Sequence, residues 1–215
     1  MKITINQELH ELLSEFSVIA YTMDVENNKT EVVQQLLENL DVPFSINEVT
    51  SNWKIKETRD GYKKLKKDPS HTRCAVEALV RRVIKHRSNE ASLYTLGDLI
   101  DLGNILSVEV LRSVCVVDLE KINNDIEIRI GKENEVVNAI NRSDINAENL
   151  IVYVDESGIF GSPTSDTLRT SVTEETKKIL VMIICFSKKD LKEDEQKLIT
   201  YYTKYANARN LKKIS

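Results

Sequence analysis

Residues Gly161 to Thr170 read G-S-P-T-S-D-T-L-R-T and crowd hydrogen-bonding groups into ten positions ahead of an apolar run that begins at Ile179. Gly161 lets a backbone come close to a ligand, Ser162, Thr164, Ser165 and Thr170 offer hydroxyls, and Asp166 and Arg169 offer charge of both signs. A surface of this kind suits a small polar ligand. The same residues also fit a surface loop held by its own hydroxyls, and both readings stay open. The segment is not a phosphate loop: Gly-x-x-x-x-Gly-Lys is absent, and Gly-x-Gly-x-x-Gly occurs nowhere in the chain.

A second constellation is L-I-D-L-G-N-I-L-S-V-E, Leu99 to Glu109, followed by S-V-C-V-V-D-L-E-K-I, Ser113 to Ile122. Three- and four-residue spacing puts Asp101, Asn104 and Ser107 close together on a helix. Asn104 among apolar neighbours would be a buried amide that needs partners, so its simplest role is to tie the helix to a strand or loop. Asp118, at a strand end, could bind an amine or cap the next turn. No nucleophile elbow is present, and no serine or cysteine stands in a pattern with a histidine and a carboxylate. His10, His71 and His86 form no ligand set with Cys74, Cys115 and Cys185, so no metal or other cofactor is expected, and the thiols read as buried and free.

The elements that would hold these residues follow from periodicity. Lys2 to Ile5 and Phe16 to Met23 read as strands, and Glu8 to Phe16 and Lys29 to Leu40 as helices. Further helices are expected over Ser51 to Lys67, His71 to Lys85 and Leu96 to Val110, with Asp68-Pro69-Ser70 as a stop and Ser70 as the cap of the next helix. The second half turns to sheet: Val114 to Val117, Ile126 to Ile130, Leu150 to Val154 and the run Ile179 to Phe186 are rich in Val and Ile. Ser187 to Ile214 reads as a final charged helix, which makes residues 187–215 a C-terminal helical extension. This order predicts an α/β class with a mixed sheet in the second half and flanking helices, in one domain over residues 1–215.

Composition narrows the setting. The N-terminus lacks a signal peptide's apolar run, and the longest apolar stretch is too short to span a bilayer, so a cytoplasmic protein without a membrane partner is expected. The net charge of −4 argues against indiscriminate coating of nucleic acid, yet residues 54–87 carry twelve Lys and Arg against four acids, a local excess of +8. That stretch fits either a solvated helix face or a surface for a phosphate backbone.

At these residues the chain resembles the B3/B4 domain, the editing module of the bacterial phenylalanyl-tRNA synthetase beta subunit, which also occurs free-standing. The family pattern l-v-D-i-t-N-Y-v-m-l-e followed by P-l-H-a-f-D-l-d-K-i is matched at Asp101, Asn104, Asp118, Lys121 and Ile122. Free-standing members are closer still, through Asp68-Pro69-Ser70, Arg73 and Glu77-Ala78-Leu79-Val80-Arg81-Arg82, and through D-x-x-G-x-f-G-S-x-T-S-D-x-x-R-T-x-v-T-x-x-T from Asp155 to Thr176. The resemblance covers residues 68 to 186 and implies a B3/B4-like α/β fold with a pocket for the aminoacyl end of a tRNA. As implied roles, Asn104 orients a water and Asp118 or Asp166 takes the amine. Arg73 or Arg169 meets a phosphate, and Glu77, Arg81 and the loop residues Gly161, Ser162, Thr164, Ser165 and Thr170 complete the substrate surface.

Three positions depart from the synthetase pattern. Gly103 replaces a threonine, Cys115 a histidine and Met182 a glutamate, so discrimination of tyrosine from phenylalanine is not implied. Two functions follow: an editing-like deacylase acting in trans on aminoacyl-tRNA, or a non-catalytic module that binds an amino-acid-like small molecule or a tRNA. The chain is too short for a complete synthetase.

Overall fold

The structure, a computed structural model, describes residues 1–28, 30–140 and 143–214. In chain order the elements are β1 (Ile3–Ile5), α1 (Gln7–Leu12), β2 (Ser17–Asp24), α2 (Glu31–Glu38), α3 (Trp53–Lys64), α4 (Ala75–Arg87), α5 (Asp98–Val110), β3 (Ser113–Asp118), β4 (Ile126–Ile130), β5 (Val136–Val137), β6 (Ile145–Asn146), β7 (Ile151–Asp155), β8 (Gly158–Ser162), β9 (Ser165–Asp166), β10 (Lys178–Cys185), α6 (Leu191–Tyr205) and β11 (Arg209–Ile214). Lys29, where the second helix was expected to start, lies outside the described residues; α2 is capped by Thr30, whose hydroxyl accepts from the Val33 amide.

The apolar run at Ile179 becomes β10, which is buried on both faces because it divides two cores. Ile179, Val181, Ile183 and Cys185 face one cluster, and Leu180, Met182 and Ile184 the other. Strand periodicity of two produces that division. Each such side chain, removed fully from water, contributes about 1.5–3 kcal/mol. The antiparallel sheet β11-β2-β10-β3 therefore forms a middle wall. Helical residues Val33, Val80, Leu102 and Leu198 pack on one side. On the other side lie Ile126, Ile128, Ile151, Tyr153 and Phe160 of a second sheet, β1-β4-β7-β8-β9, in which only the β1–β4 pair is parallel. The expected α/β class with a mixed sheet and flanking helices is what is observed.

The C-terminal stretch is not one helix. After α6 the chain turns through Asn207 (φ 48°), and β11 pairs with the outer side of β2, with Asn210 (φ 53°) absorbing an irregularity in the register. Asparagine tolerates this left-handed backbone. The strand is Lys-rich, as suits a sheet edge, and so lacked an apolar alternation to announce it. The restart after Pro69 also differs: α4 begins at Ala75, and the Ser70 hydroxyl accepts from Arg59 instead of capping it. No helix among the described residues is long and apolar enough to cross a membrane.

Gly103 sits in the middle of α5, where glycine costs about 1 kcal/mol relative to alanine. A Cβ there would stand 2.5 Å from Val116 Cγ2 on β3 and 3.3 Å from the Tyr202 hydroxyl. The bare position lets α5 lie against β3 and carries Asn104 to that strand's edge. Gly103→Ala is expected to lower stability by about 1–2 kcal/mol, overpacking outweighing the gain in helix propensity, and Gly103→Thr by more. Urea unfolding checks this; an alanine variant at least as stable as the parent would contradict it.

Candidate functional site

β3 is the last strand of its sheet, and β9 the last strand of the other. A cavity of about 630 Å³ opens where the β3 edge meets the β8–β9 turn, and α4, α5 and the loop before α5 close it through Ala75, Ile100, Asn104 and Leu96. That volume suits a small-molecule site. The turn is fixed from three directions. The Pro163 carbonyl accepts from the Ala75 amide (2.8 Å) and the Ser113 hydroxyl (3.0 Å), and the Thr164 hydroxyl bonds the Tyr62 phenol (2.8 Å).

The polar floor comes from strand register. Tyr153, Gly161 and Asp166 are cross-strand partners in β7, β8 and β9, so their side chains share one face. Gly161 leaves the middle of the row bare: a Cβ there would stand 3.0 Å from the Tyr153 ring and 3.2 Å from Asp166 Oδ1. From β3, Cys115 shares the cavity wall with Asp166, and its thiol bears on the titration of the Asp166 carboxyl. Asp166 keeps some exposure as a residue, its open side being the cavity wall. Burial of its carboxyl raises the pKa to about 7, against the Cys115 thiol, which acts the other way. Burial likewise pushes the Cys115 thiol and the Tyr153 phenol well above their ordinary values, so both stay protonated at neutral pH. The Tyr153 hydroxyl is buried and has no hydrogen-bond partner among the described residues.

Asn104 lines the same cavity, half-buried, and no described residue hydrogen-bonds its side chain. The expected tie to a neighbouring strand is therefore not made, and its amide is left to face a ligand. Ser162, Thr164 and Ser165 reach the wall, but their hydroxyls are already engaged, that of Thr164 with Tyr62 and the others within the turn. Ser162 Oγ accepts from the Thr164 and Ser165 amides, and Ser165 Oγ donates to the Asp166 carbonyl. Thr170 is fully buried and donates to the Phe160 carbonyl. For these hydroxyls the self-held loop is the better description.

Other expected site residues lie elsewhere. Asp118 caps the turn at residues 119–121 through the Glu120 amide and accepts from Thr176 Oγ1 (2.7 Å), outside the cavity wall. Arg169 forks onto Asp155 (3.1 and 2.8 Å), whose side chain is fully buried, and is not free for a phosphate. Glu77 is 1% exposed and is held by Arg59 (2.8 Å), Arg81 (3.0 Å) and Arg73 (3.4 Å), so it and Arg81 anchor structure. Arg73 retains exposure and borders a neighbouring hollow of about 440 Å³ that shares Thr164 with the main cavity. Met182 pairs with Cys115 one strand further in and is fully buried, so it does not reach the wall. Tyr153 escaped sequence reasoning; the one signal was a phenol in an otherwise aliphatic strand, which must find a partner when buried. Among the described residues no group of three or more His, Cys, Asp or Glu is placed to hold a metal ion.

The B3/4 domain model matches residues 57–213, most of the chain. The protein belongs to the B3/4 domain family. Curated relatives of this B3/4 domain include the phenylalanine–tRNA ligase beta subunits of Fusobacterium nucleatum, 25% identical over 131 residues, and of Bartonella quintana, 29% identical over 100 residues. These alignments cover 60% and 46% of this chain but only 16% and 12% of the relatives, so the chain spans a small part of their length. Among solved structures, an N-terminal fragment of the phenylalanyl-tRNA synthetase beta subunit from Pyrococcus horikoshii superposes with a TM-score of 0.53 at 9% identity, covering 98% of this chain and 50% of the fragment. That likeness concerns the fold.

Two outcomes follow from this geometry. Because the unfolded chain's aspartate titrates at about 3.9 and Asp166 in the fold at about 7, the folded state holds the proton more tightly between those values. Asp166 then subtracts stability as pH rises through that window, with no penalty below it. Asp166→Asn is expected to remove that slope and to be more stable than the parent at pH 8, read from urea midpoints across pH; parallel profiles would contradict it. Arg169→Ala is expected to cost about 2–3 kcal/mol by stranding the buried Asp155 carboxylate, which the same unfolding series checks at one pH.

Proposed function

We propose that the cavity receives the aminoacyl group at the end of a tRNA and that the chain is a free-standing, cytoplasmic, editing-like deacylase acting in trans. The observation that carries this reading is the unbonded Asn104 amide sharing a cavity with the enclosed Asp166 carboxyl. An α-ammonium group entering the floor favours the ionised form of Asp166 and makes a charge-assisted hydrogen bond with it. Asn104, donor and acceptor together, orients a water toward the ester carbonyl. The water oxygen bonds to that carbon, the bond to the ribose oxygen breaks, and the ribose oxygen leaves with a proton given up by the attacking water. An aminoacyl ester is already activated, so positioning and a polar cavity supply most of what is needed. With Met182 buried behind Cys115, selection of a phenolic side chain in the manner of the synthetase pattern forms no part of the proposal.

One observation favours a second reading. Arg59, Arg73 and Arg81 converge on Glu77, and Arg169 is committed to Asp155, so much of the arginine set expected to meet phosphate is engaged within the protein. A non-catalytic module for an amino-acid-like small molecule fits that accounting.

Incubating the purified protein with a panel of mischarged tRNAs separates the two. The deacylase reading predicts hydrolysis of at least one of them, reduced about 10-fold or more by Asn104→Ala and by Asp166→Ala. Rates no higher than the uncatalysed one on every tRNA would remove it, and saturable binding of a free amino acid without hydrolysis would then favour the module.

A further inference from the structure

Eight large hydrophobic side chains are exposed among the described residues, and three of them, Tyr94, Leu96 and Leu168, line the same cavity. Single exposed apolar residues need no explanation, but three around one cavity form a patch. Tyr94 is 59% exposed and is held by Arg82, whose guanidinium carbon lies 5.4 Å from the ring centroid and whose Nη1 donates to the phenol oxygen at 3.1 Å. Unlike Arg59, Arg73 and Arg81, Arg82 has no carboxylate partner among the described residues.

Arg82 also continues a stripe on α4. Ala75, Ala78 and Arg82 stand at spacings of three and four and are all exposed. Ala75 lines the main cavity and Ala78 the hollow bordered by His71 and Arg73. Small side chains keep this stripe low between the two depressions, and the strongly basic stretch 54–87 supplies its charge.

We infer that Tyr94 is a stacking platform for the terminal nucleobase of a single-stranded RNA end and that Arg82 meets the adjoining phosphate, with the chain end directed into the cavity. This deepens the aminoacyl-tRNA reading and rests on it. A flat, solvent-facing ring steadied by an arginine is the arrangement that binds nucleobases without regard to sequence. The patch couples this ring to a cation and not to further apolar residues alone, which favours a nucleotide over an apolar protein segment.

Fluorescence anisotropy of the full chain with a labelled, unacylated RNA tetranucleotide ending in CCA, at several salt concentrations, tests this. Tyr94→Ala is expected to weaken binding about 10-fold, Tyr94→Phe to stay within about 2-fold, and Tyr94→Leu to resemble the alanine variant. Arg82→Gln is expected to weaken binding and to reduce the magnitude of the slope of log K against log salt by about 0.7. Circular-dichroism melting of each variant should match the parent, since both residues are exposed. If the parent binds the RNA but Tyr94→Ala or Tyr94→Leu binds equally well, the stacking role is overturned while the aminoacyl-tRNA reading stands. If the parent does not bind the RNA at all and hydrolyses no mischarged tRNA, both fall.

Discussion

The Pro163 carbonyl oxygen accepts two hydrogen bonds, one from the first turn of α4 and one from the first residue of β3, and neither donor belongs to its own hairpin. Proline has no amide hydrogen to donate, so the residue acts here only as an acceptor between other elements. With the Tyr62–Thr164 bond beside it, this fixes the β8–β9 turn against a helix and against the edge of the other sheet. The shared core sets the two sheets against each other, and this fixture sets where the β8–β9 turn ends within that arrangement. With it, the unpaired edge of β3 and the row Tyr153, Gly161, Asp166 face a shared space, and Gly103 lets α5 bring Asn104 to the same edge.

Polar groups in this space are unevenly satisfied, and the unevenness carries the functional reading. Most hydroxyls of the G-S-P-T-S-D-T-L-R-T segment bond to their own turn or to its neighbours, as buried groups must. The Tyr153 phenol and the Asn104 amide do not, and the Asp166 carboxyl has the Cys115 thiol, a weak donor, to offset its desolvation. Groups left in this condition at a cavity floor are costly in the empty protein and useful when a ligand supplies the missing partners. The arginines behave in the opposite way. Glu77 engages three arginines of the 54–87 stretch inside the protein, so the local excess of positive charge there overstates what is available to a phosphate, and Asp155 engages Arg169 in the same way. Among the described arginines of that stretch, Arg82 is the one with no carboxylate partner, and it contacts Tyr94 of the cavity wall.

Sequence pattern was sufficient for elements whose burial leaves a periodic trace. Ile126–Ile130 emerged with its expected bounds, and β10, α2, α4 and α5 within a few residues, because apolar residues at spacings of two or of three and four mark them directly. β11 left no such trace, since its alternation is lost among lysines at a sheet edge, and β5, β6 and β9 are too short to show one. The residues expected to form a site converge only in part. Gly161, Ser162, Thr164, Ser165, Asp166 and Asn104 do meet at one cavity or its floor, whereas Asp118, Glu77 and Arg169 carry charges that the fold consumes for itself. Residue type cannot separate these cases, because an aspartate that caps a turn and one that floors a pocket are written alike. Which strands are edges decides between them, and that depends on pairing far apart in the chain.

The central claim is that Asp166 and Asn104 together receive an aminoacyl group between the edges of the two sheets. A crystal structure of the protein with an amide-linked, non-hydrolysable aminoacyl-adenosine tests it most directly. The account predicts the ligand's α-amino group within hydrogen-bonding distance of the Asp166 carboxyl and its carbonyl region beside the Asn104 amide. A ligand seated instead in the adjoining hollow lined by Asn27, Gly97 and Glu174, with no ligand atom within hydrogen-bonding distance of the Asp166 carboxyl, would contradict it.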